Sequence, residues 1–283
     1  MISKKIQQTE FSKEDIRLVD EVTYNRAPPK RRWDQIYMHG SDMLSQADVM
    51  EEYIEGEDVL FLGDGDSMST LFGALSSKGE IEGPSEMTVL DFDKRILEKI
   101  EEFANLKKFE QNDVILRTDP YNVLDPPPEK VRGKFSFFYI NPPYGSKNEG
   151  ESGIIWVQRC MEMCTASCTG CIIIPYDRKK EWSIKATRKI QSYLLENGFA
   201  IRGMIPYMHK YHLRDNPVLQ SATMIVDRVE PQASDFEGEQ IPKEVARTLY
   251  GSERRIPRYI GEDDEPDFDW RYNREPDVYR YGE

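Results

Sequence analysis

Short, nearly continuous apolar runs recur along the middle of this chain, and segments with helical periodicity separate most of them. The runs are Asp58–Gly63, Met87–Asp93, Asp113–Thr118, Phe135–Ile140, Cys171–Tyr176, Ala200–Tyr207 and Ala222–Val229. Runs without strict polar–apolar alternation are typical of parallel strands that are buried on both faces of a sheet. Alternation of such strands with helices predicts a doubly wound α/β sheet of seven strands.

The connection between the sixth and seventh runs has too few residues for a helical crossover of the usual kind. We therefore predict a mostly parallel sheet whose last strand is antiparallel. The chain is expected to divide into a helical N-terminal segment (residues 1–55), a core (56–230) and an acidic C-terminal extension (231–283). The extension is punctuated by proline and lacks apolar periodicity, which is typical of an extended tail.

The composition narrows the class of protein. The 283 residues are 39% hydrophobic and 11% aromatic, which is compatible with a globular core. No apolar stretch reaches membrane-spanning length, so a soluble, cytoplasmic protein without membrane contact is expected. The net charge of −13 argues against a generally basic nucleic-acid-binding surface, but it is compatible with a local basic cleft, a polycationic substrate or a basic partner.

A glycine loop follows the first apolar run and reads Gly63-Asp64-Gly65-Asp66. Glycines after a strand let the backbone approach a ligand closely, and the following helix offers free N–H groups. The loop departs from the dinucleotide pattern because Met68 stands where a third glycine belongs. Its two carboxylates disfavour a bare pyrophosphate and favour a ligand with cationic or hydroxyl groups. The other interpretation is an ordinary tight turn.

Acidic and aromatic residues follow the next two strands. Asp91, at the tip of the second strand, is placed to accept hydrogen bonds from ribose hydroxyls. Phe92 is expected to pack on an adenine, and Asp119, after the third strand, is expected to accept from the adenine amino group. These residues and the glycine loop predict a nucleoside site without phosphates, which is the layout of an S-adenosylmethionine pocket.

The fourth run ends in Asn141-Pro142-Pro143-Tyr144. With this tetrapeptide the chain resembles, over about residues 31–229, the class I S-adenosylmethionine-dependent methyltransferases that act on planar amino nitrogens. The resemblance implies a Rossmann-like class I methyltransferase fold and S-adenosyl-L-methionine as cofactor. The Asn141 side-chain oxygen and the Pro142 carbonyl would accept the amino hydrogens and draw the lone pair toward the methyl group, while Tyr144 would stack on the acceptor. The plainer interpretation is a proline turn.

Two families compete for the chain. The continuation from Gly145 to Asn148 is similar to the small adenine-N6 methyltransferases of structured RNA. The upstream block RRWDQIYMHGSDMLSQADVM with LGDGDS is similar to the branched-chain polyamine synthases, which transfer aminopropyl groups from decarboxylated S-adenosylmethionine. This sequence departs from those synthases twice, since Gly65 and Asn141 stand where they carry acids. A neutral asparagine suits an uncharged arylamine, so we predict methylation of a planar nitrogen, adenine N6 in DNA or RNA, with the polyamine enzyme as the alternative.

The residue roles follow from this interpretation. Three residues are predicted to act in catalysis: Asn141, Pro142 and Tyr144. Cofactor contacts are predicted for Gln35, Tyr37, Gly63, Asp64, Gly65, Asp91, Phe92, Asp119 and Asn141, with the segment at Gln35 covering the methionine end. Substrate contacts are predicted for Pro143, Tyr144, Lys147, Asn148, His209 and Tyr211, the last two in a loop between the sixth and seventh strands.

No metal is expected. All four cysteines lie in RCMEMCTASCTGC, where Cys160, Cys164 and Cys168 are predicted to line one helix face and Cys171 to begin a strand. Buried free cysteine packs as a small hydrophobe, although a cluster or a disulfide is also compatible with the spacing. The expected partners are a nucleic acid substrate and a protein subunit. A catalytically silent methyltransferase-like subunit is the remaining alternative.

Overall fold

The computed structural model describes residues 11–30, 33–146, 148–212, 218–246 and 248–250. Its centre is a seven-stranded sheet with the order β3-β2-β1-β4-β5-β7-β6. The strands are β1 (Asp58–Leu62), β2 (Glu86–Asp91), β3 (Leu116–Pro120), β4 (Phe135–Ile140), β5 (Cys164–Pro175), β6 (Phe199–Lys210) and β7 (Gln220–Arg228). The helices are α1 (Lys13–Asn25), α2 (Gly40–Ile54), α3 (Met68–Ser77), α4 (Lys94–Leu106), α5 (Glu151–Met163), α6 (Glu181–Glu196) and α7 (Lys243–Ala246).

The sheet has two buried faces, as the continuous apolar runs predict. Along β1, Val59 and Phe61 belong to one hydrophobic core, whereas Leu60 and Leu62 belong to the core on the opposite face. Successive side chains of a strand point to opposite faces, so a strand that is covered on both sides must be apolar at every position. Helices on each face supply the cover.

The direction of the strands agrees with the prediction. Neighbouring strands from β3 to β5 are parallel, and β7 inserts antiparallel between β5 and β6. The α/β methyltransferase-like fold, with a mostly parallel sheet and an antiparallel last strand, is therefore confirmed.

The sixth strand is longer than its apolar run. β6 continues to Lys210, and its register with β7 shifts between Ile205 and His209. The prediction of a loop at His209 is therefore wrong. The polar residues after Tyr207 are typical of a loop, which led to the wrong prediction. In the structure His209 is buried by its neighbours and belongs to the strand.

The cysteine segment also differs from its prediction. Helix α5 ends at Met163, and β5 begins at Cys164, so a single helix face does not carry three cysteines. The thiols are free and buried. The residues between 164 and 171 are small and polar, and their pairing with β4 and β7 extends the strand beyond its apolar part.

Two segments outside the sheet pack against its helices. Helices α1 and α2 precede the core, and α1 begins with a capping box between Ser12 and Asp15. The chain after β7 is fastened by buried Arg159, which donates to the carbonyls of Phe236 and Glu239. No helix in the described part of the chain combines the length and the apolar character that a membrane crossing requires.

Candidate active site

A cleft lies at the carboxyl ends of β1, β2 and β4, where open α/β sheets bind their ligands. It encloses about 680 Å³ when the space at its open mouth is included. The lining residues are Trp33, Asp34, Gln35, Ile36, Tyr37, Gly63, Gly65, Asp66, Asp91, Phe92, Ile96, Asn141, Pro142, Pro143, Tyr144, Trp156, Tyr211, Leu219 and Tyr250.

Both glycines of the loop are required. Gly63 is required by its backbone conformation, and Gly65 is required because there is no space for a side chain. Gly63 has a φ of +75°, which residues with a side chain rarely adopt. A Cβ at Gly65 would lie 2.8 Å from Cε1 of Tyr37, a distance too short for carbon atoms. Tyr37 is buried and donates from its hydroxyl to the Ala27 carbonyl, so it cannot withdraw at low cost. The glycine loop therefore packs closely against Tyr37 in the N-terminal segment, with no space for a side chain at position 65.

Asp64 faces the helix rather than the cleft. Its carboxylate accepts from the backbone N–H groups of Met68 (2.8 Å) and Ser69 (3.0 Å) and from the Ser69 hydroxyl (2.6 Å). Burial raises the pKa of Asp64 to about 7. A carboxylate that satisfies the first turn of α3 is part of the framework, so the geometry does not give Asp64 the cofactor contact that the sequence predicts.

Asp66, two residues later, faces the cleft. Its Oδ1 accepts from the Met38 N–H at 2.8 Å, and its Oδ2 accepts from Nδ2 of Asn141 at 2.6 Å. Burial raises the pKa of Asp66, and the nearby charge of Arg26 opposes that rise. Sequence reasoning did not select Asp66. The turn closed by the Ser67 N–H and the Asp64 carbonyl (2.9 Å) sends the two carboxylates in different directions, and nothing local in the sequence shows which of them faces the cleft.

Asn141 is held by this contact. Because its amide nitrogen donates to Asp66, its Oδ1 is the group left to accept from a ligand. Pro142 and Pro143 line the cleft beside it. The tetrapeptide therefore lies where the sequence predicts, but its amide is coupled to a carboxylate.

Asp91 lies at the tip of β2, as predicted, and lines the cleft. Its Oδ1 accepts from the Asp93 N–H at 2.8 Å. Burial raises the pKa of Asp91 to about 8, and the neighbouring Asp93 carboxylate adds to the rise. Gln35 donates from Nε2 to Asp93 at 2.9 Å, so the N-terminal segment is tied to the loop after β2.

Aromatic rings surround the Asp91 end of the cleft. Phe92 meets Trp33 edge to face at 5.0 Å between ring centroids and meets Tyr250 at 5.7 Å, while Trp156 lies 6.1 Å from Tyr250. The Tyr250 hydroxyl is buried and has no hydrogen-bond partner among the described residues. Trp156 and Tyr250 were missed because nothing local in the sequence marks a residue that only the fold brings to the cleft.

Two tyrosines form the opposite wall. The hydroxyls of Tyr144 and Tyr211 contact each other, and their rings meet edge to face at 5.9 Å. Tyr211 also bonds the Ser221 hydroxyl at 2.7 Å. Burial raises the pKa of Tyr144 and that of Tyr211, so both remain phenols at neutral pH. Both residues were predicted as substrate contacts, and both line the cleft.

Four predicted residues lie elsewhere or outside the description. Asp119 pairs with Lys130 at 2.7 Å and does not line the cleft. Asn148 donates to Ser152 at 3.0 Å near the start of α5. His209 is fully buried among polar side chains of the sheet. Lys147 lies outside the described residues.

The charge of the cleft is one-sided. Asp34, Asp66 and Asp91 line it, and none of its described lining residues is Lys, Arg or His. The guanidinium of Arg26 lies behind the glycine loop, where it donates to the carbonyls of Asp66 (2.9 Å) and Met38 (3.3 Å). An acidic, partly desolvated cleft favours cationic ligands and disfavours carboxylates and phosphates.

Known proteins are similar to this chain in sequence and in fold. N(4)-bis(aminopropyl)spermidine synthase of Thermococcus kodakarensis is 27% identical over 194 residues, which are 68% of this chain and 51% of that protein. Its namesake in Methanocaldococcus jannaschii is 29% identical over 125 residues, 44% of this chain and 33% of that protein. The chain thus spans about half or less of the length of the curated relatives that it matches.

A solved structure shares the fold. The branched-chain polyamine synthase of Thermus thermophilus, crystallised with N4-aminopropylspermidine and 5′-methylthioadenosine, superposes with a TM-score of 0.65 at 21% identity. The match covers 81% of this chain and 68% of that one. At this identity the likeness concerns the fold.

These findings overturn the predicted methylation of adenine N6 in nucleic acid. The named relatives are aminopropyl-transferring synthases, and the alternative that the sequence left open agrees with them better. The physical reason for the error is Asn141, whose neutral amide was interpreted without the Asp66 carboxylate that it contacts.

The family follows from the extent of the match. The model of the branched-chain polyamine synthase A C-terminal domain matches residues 15–245, which include most of α1, the whole sheet and every strand end that builds the cleft. The chain belongs to the branched-chain polyamine synthase A C-terminal domain family.

Proposed function

We propose that this protein transfers an aminopropyl group from decarboxylated S-adenosylmethionine to an amine nitrogen of a linear polyamine. The observation that carries the proposal is the acidic lining of the cleft: three aspartates line it, and no basic residue does among those described. A bound cation would favour the ionised form of each of them. Both substrates are cationic, and the donor lacks the carboxylate that such a cleft would repel. The names of the curated relatives support the same reaction.

The nucleoside part of the donor fits the Asp91 end. The carboxylate of Asp91 can accept from ribose hydroxyls once it is ionised, and the rings of Phe92 and Trp156 offer apolar faces for adenine. Gly63 and Gly65 allow the backbone to approach the ligand there. The tyrosine wall and Asp66 then lie at the end of the cleft where the aminopropyl group and the acceptor amine would meet.

The reaction needs an uncharged nitrogen. Alkylammonium groups have pKa values near that of lysine, about 10.4, so the acceptor must lose a proton before its lone pair can attack. Asp66 is the candidate base, because each of its oxygens keeps a lone pair beyond its hydrogen bond and burial raises its pKa.

The transfer itself is a displacement at carbon. The amine nitrogen forms a bond to the methylene group that is attached to the sulfonium sulfur. The carbon–sulfur bond breaks, and its electron pair stays on sulfur, which leaves as neutral 5′-methylthioadenosine. The positive charge passes to the alkylated nitrogen, where the carboxylates of the cleft stabilise it.

Asn141 has a supporting part in this scheme. Its Nδ2 holds Asp66 in place, and its Oδ1 can accept from the amine N–H that points away from the reacting carbon. By the resemblance of its sequence motif, the synthases carry an acid at this position. In this chain Asn141 would supply a neutral acceptor there, and Asp66 would supply the carboxylate.

The test is detection of the product. The purified protein is incubated with decarboxylated S-adenosylmethionine and spermidine, and the amines are analysed by mass spectrometry. A product heavier than spermidine by one aminopropyl group, with an equal amount of methylthioadenosine, is expected. Methylated amine from S-adenosylmethionine, or no product from either donor with spermidine and other linear polyamines, would contradict the proposal. A reaction without amine controls for hydrolysis of the donor.

A further inference from the structure

A chain of buried polar groups leads from the cleft into the sheet. Tyr144 contacts Tyr211, Tyr211 bonds Ser221 at 2.7 Å, and Ser221 bonds Nδ1 of His209 at 2.9 Å. Nε2 of His209 lies 2.9 Å from Oε1 of Gln46. Ser221, His209 and Gln46 are 0% exposed, so water does not complete their hydrogen bonds.

The direction of each hydrogen bond can be derived from the inner end. Thr223 Oγ1 lies 2.5 Å from Oε1 of Gln46, a separation typical of O–H···O and too short for an amide N–H donor. The amide of Gln46 is oriented with its oxygen toward Thr223 and its nitrogen toward the sulfur of Cys171 at 3.1 Å, where an N–H can donate to the thiol sulfur. An amide oxygen only accepts, so Nε2 of His209 must carry a hydrogen.

His209 then accepts at its other nitrogen. Burial lowers the pKa of His209 to about 3, so the ring is neutral and carries one hydrogen, the one on Nε2. Nδ1 is an acceptor, and the single hydrogen of the Ser221 hydroxyl is donated to it. Ser221 can accordingly only accept from Tyr211, which donates its own hydrogen in that bond.

Tyr144 is the last link. The hydrogen of Tyr211 is already donated inward, so the contact between the two tyrosines requires Tyr144 to donate to Tyr211. The Tyr144 oxygen then has lone pairs and no hydrogen for the cleft. A buried histidine thus fixes the direction in which the hydroxyl of Tyr144, a residue that lines the cleft, donates its hydrogen.

We propose that His209 is a positioning residue that, through Ser221 and Tyr211, makes the Tyr144 hydroxyl a pure acceptor toward the cleft, which selects the donor-only N–H groups of an ammonium or amine. This inference rests on the proposed function, since it names the group that recognises the acceptor nitrogen. The sequence predicts that His209 contacts the substrate directly. In this inference His209 acts on the substrate only through three other side chains, those of Ser221, Tyr211 and Tyr144.

The first test is the tautomer of His209, measured by ¹⁵N NMR of the full protein at neutral pH. The chain has three histidines, so variants of His39 and His212 assign the signals. A neutral ring with its hydrogen on Nε2 is expected. A hydrogen on Nδ1, or a charged ring, would reverse the derived direction and overturn the inference.

The second test is calorimetric binding of spermidine and, separately, of methylthioadenosine. Ser221→Ala removes the link between His209 and Tyr211, so its spermidine Kd should rise about tenfold, the scale of one hydrogen bond to a charged group. Its methylthioadenosine Kd should change less than about twofold, since Ser221 is remote from Asp91. Thr187→Val, which removes a buried hydroxyl that bonds the Pro175 carbonyl, should change neither constant.

A double-mutant cycle separates positioning from general loss of structure. Tyr144→Phe should raise the spermidine Kd by a similar factor, and Ser221→Ala should add little to it in the Tyr144→Phe background. Independent, multiplying effects would contradict action through Tyr144. If the tautomer is as derived but no aminopropyl product forms, the proposed function fails alone; if product forms with the hydrogen on Nδ1, this inference fails alone.

Discussion

The two ends of the cleft are built on different physical principles. The nucleoside end is an aromatic enclosure with one strand-tip carboxylate, Asp91, whereas the acceptor end is a polar network of Asp66, Asn141 and two tyrosines. In the proposed function, the first would recognise the shape of the nucleoside and its two ribose hydroxyls, and the second would bind and deprotonate the cationic amine. Substitutions at the first end are therefore expected to weaken nucleoside binding, and substitutions at the second end are expected to weaken polyamine binding or transfer.

The same contrast appears within four residues of the glycine loop. Asp64 and Asp66 are both buried, but Asp64 binds the first turn of α3 and Asp66 binds Asn141 and faces the cleft. Two aspartates with nearly equal burial thus have different partners, because a turn closed by the Ser67 N–H and the Asp64 carbonyl lies between them. Partners, rather than residue types, decide which acid belongs to the site.

The largest expected effect is on Asp66. Asp66→Asn keeps the size of the side chain and removes the base, so aminopropyl transfer should fall about 10³-fold, within the range for loss of a general base. Binding of methylthioadenosine should stay within about threefold of wild type. Initial rates with mass-spectrometric detection and calorimetry measure the two quantities.

Asp64→Asn is the matched control. It removes acceptor capacity from the start of α3, so the unfolding free energy should fall by about 1 kcal/mol. The transfer rate of the folded fraction should remain close to wild type. If the two variants lost activity alike, the distinction between the framework acid and the site acid would be wrong.

The nucleoside end should respond to loss of an aromatic ring. Phe92→Ala removes the ring that contacts Trp33 and Tyr250, and the methylthioadenosine Kd should rise about 10- to 100-fold, the scale for one stacked base. The spermidine Kd should change little, because Phe92 does not belong to the acceptor end. A rise in the spermidine Kd without a rise in the methylthioadenosine Kd would mean that spermidine, and not the nucleoside, binds at the Phe92 end of the cleft.

Stability should depend on pH through the buried acids. The pKa of Asp91 is raised to about 8 and that of Asp64 to about 7, so between about pH 4 and these values the folded state binds more protons than the unfolded state. The free energy of unfolding therefore decreases as pH rises through this window, by at most about 1.4 kcal/mol per pH unit for each group.

Urea unfolding at pH 5 and pH 8 measures this slope. Asp91→Asn should make the decrease smaller than in wild type, because an amide does not titrate. An unchanged slope in that variant would show that Asp91 is already ionised in the free protein.

The smallest effect is expected for Tyr250→Phe. The hydroxyl of Tyr250 is buried without a partner among the described residues, so its removal should leave the unfolding free energy unchanged or raise it by up to about 1 kcal/mol. If a bound nucleoside supplies the partner, the methylthioadenosine Kd should rise about fivefold to tenfold. Thermal unfolding and calorimetry check the two parts, and tighter nucleoside binding would contradict this role.

The fold was predictable because parallel strands covered on both faces are apolar at nearly every position, as β1 is after Asp58 and β4 is apart from Ser136. The strand-tip positions of Asp91 and Asn141 followed from the same pattern. Contacts between distant segments were not predictable in this way. The sequence does not show that Asn141 meets Asp66, that Trp156 and Tyr250 enclose the nucleoside end, or that β6 continues to a buried His209.

The most direct test of the central claim is the preference of the cleft for one form of the donor. Calorimetric titration of the same protein preparation with decarboxylated S-adenosylmethionine and with S-adenosylmethionine compares two ligands that differ by one carboxylate. The acidic lining predicts that the decarboxylated ligand binds at least about tenfold more tightly. Equal affinity, or tighter binding of S-adenosylmethionine, would contradict the assignment of this cleft to aminopropyl transfer.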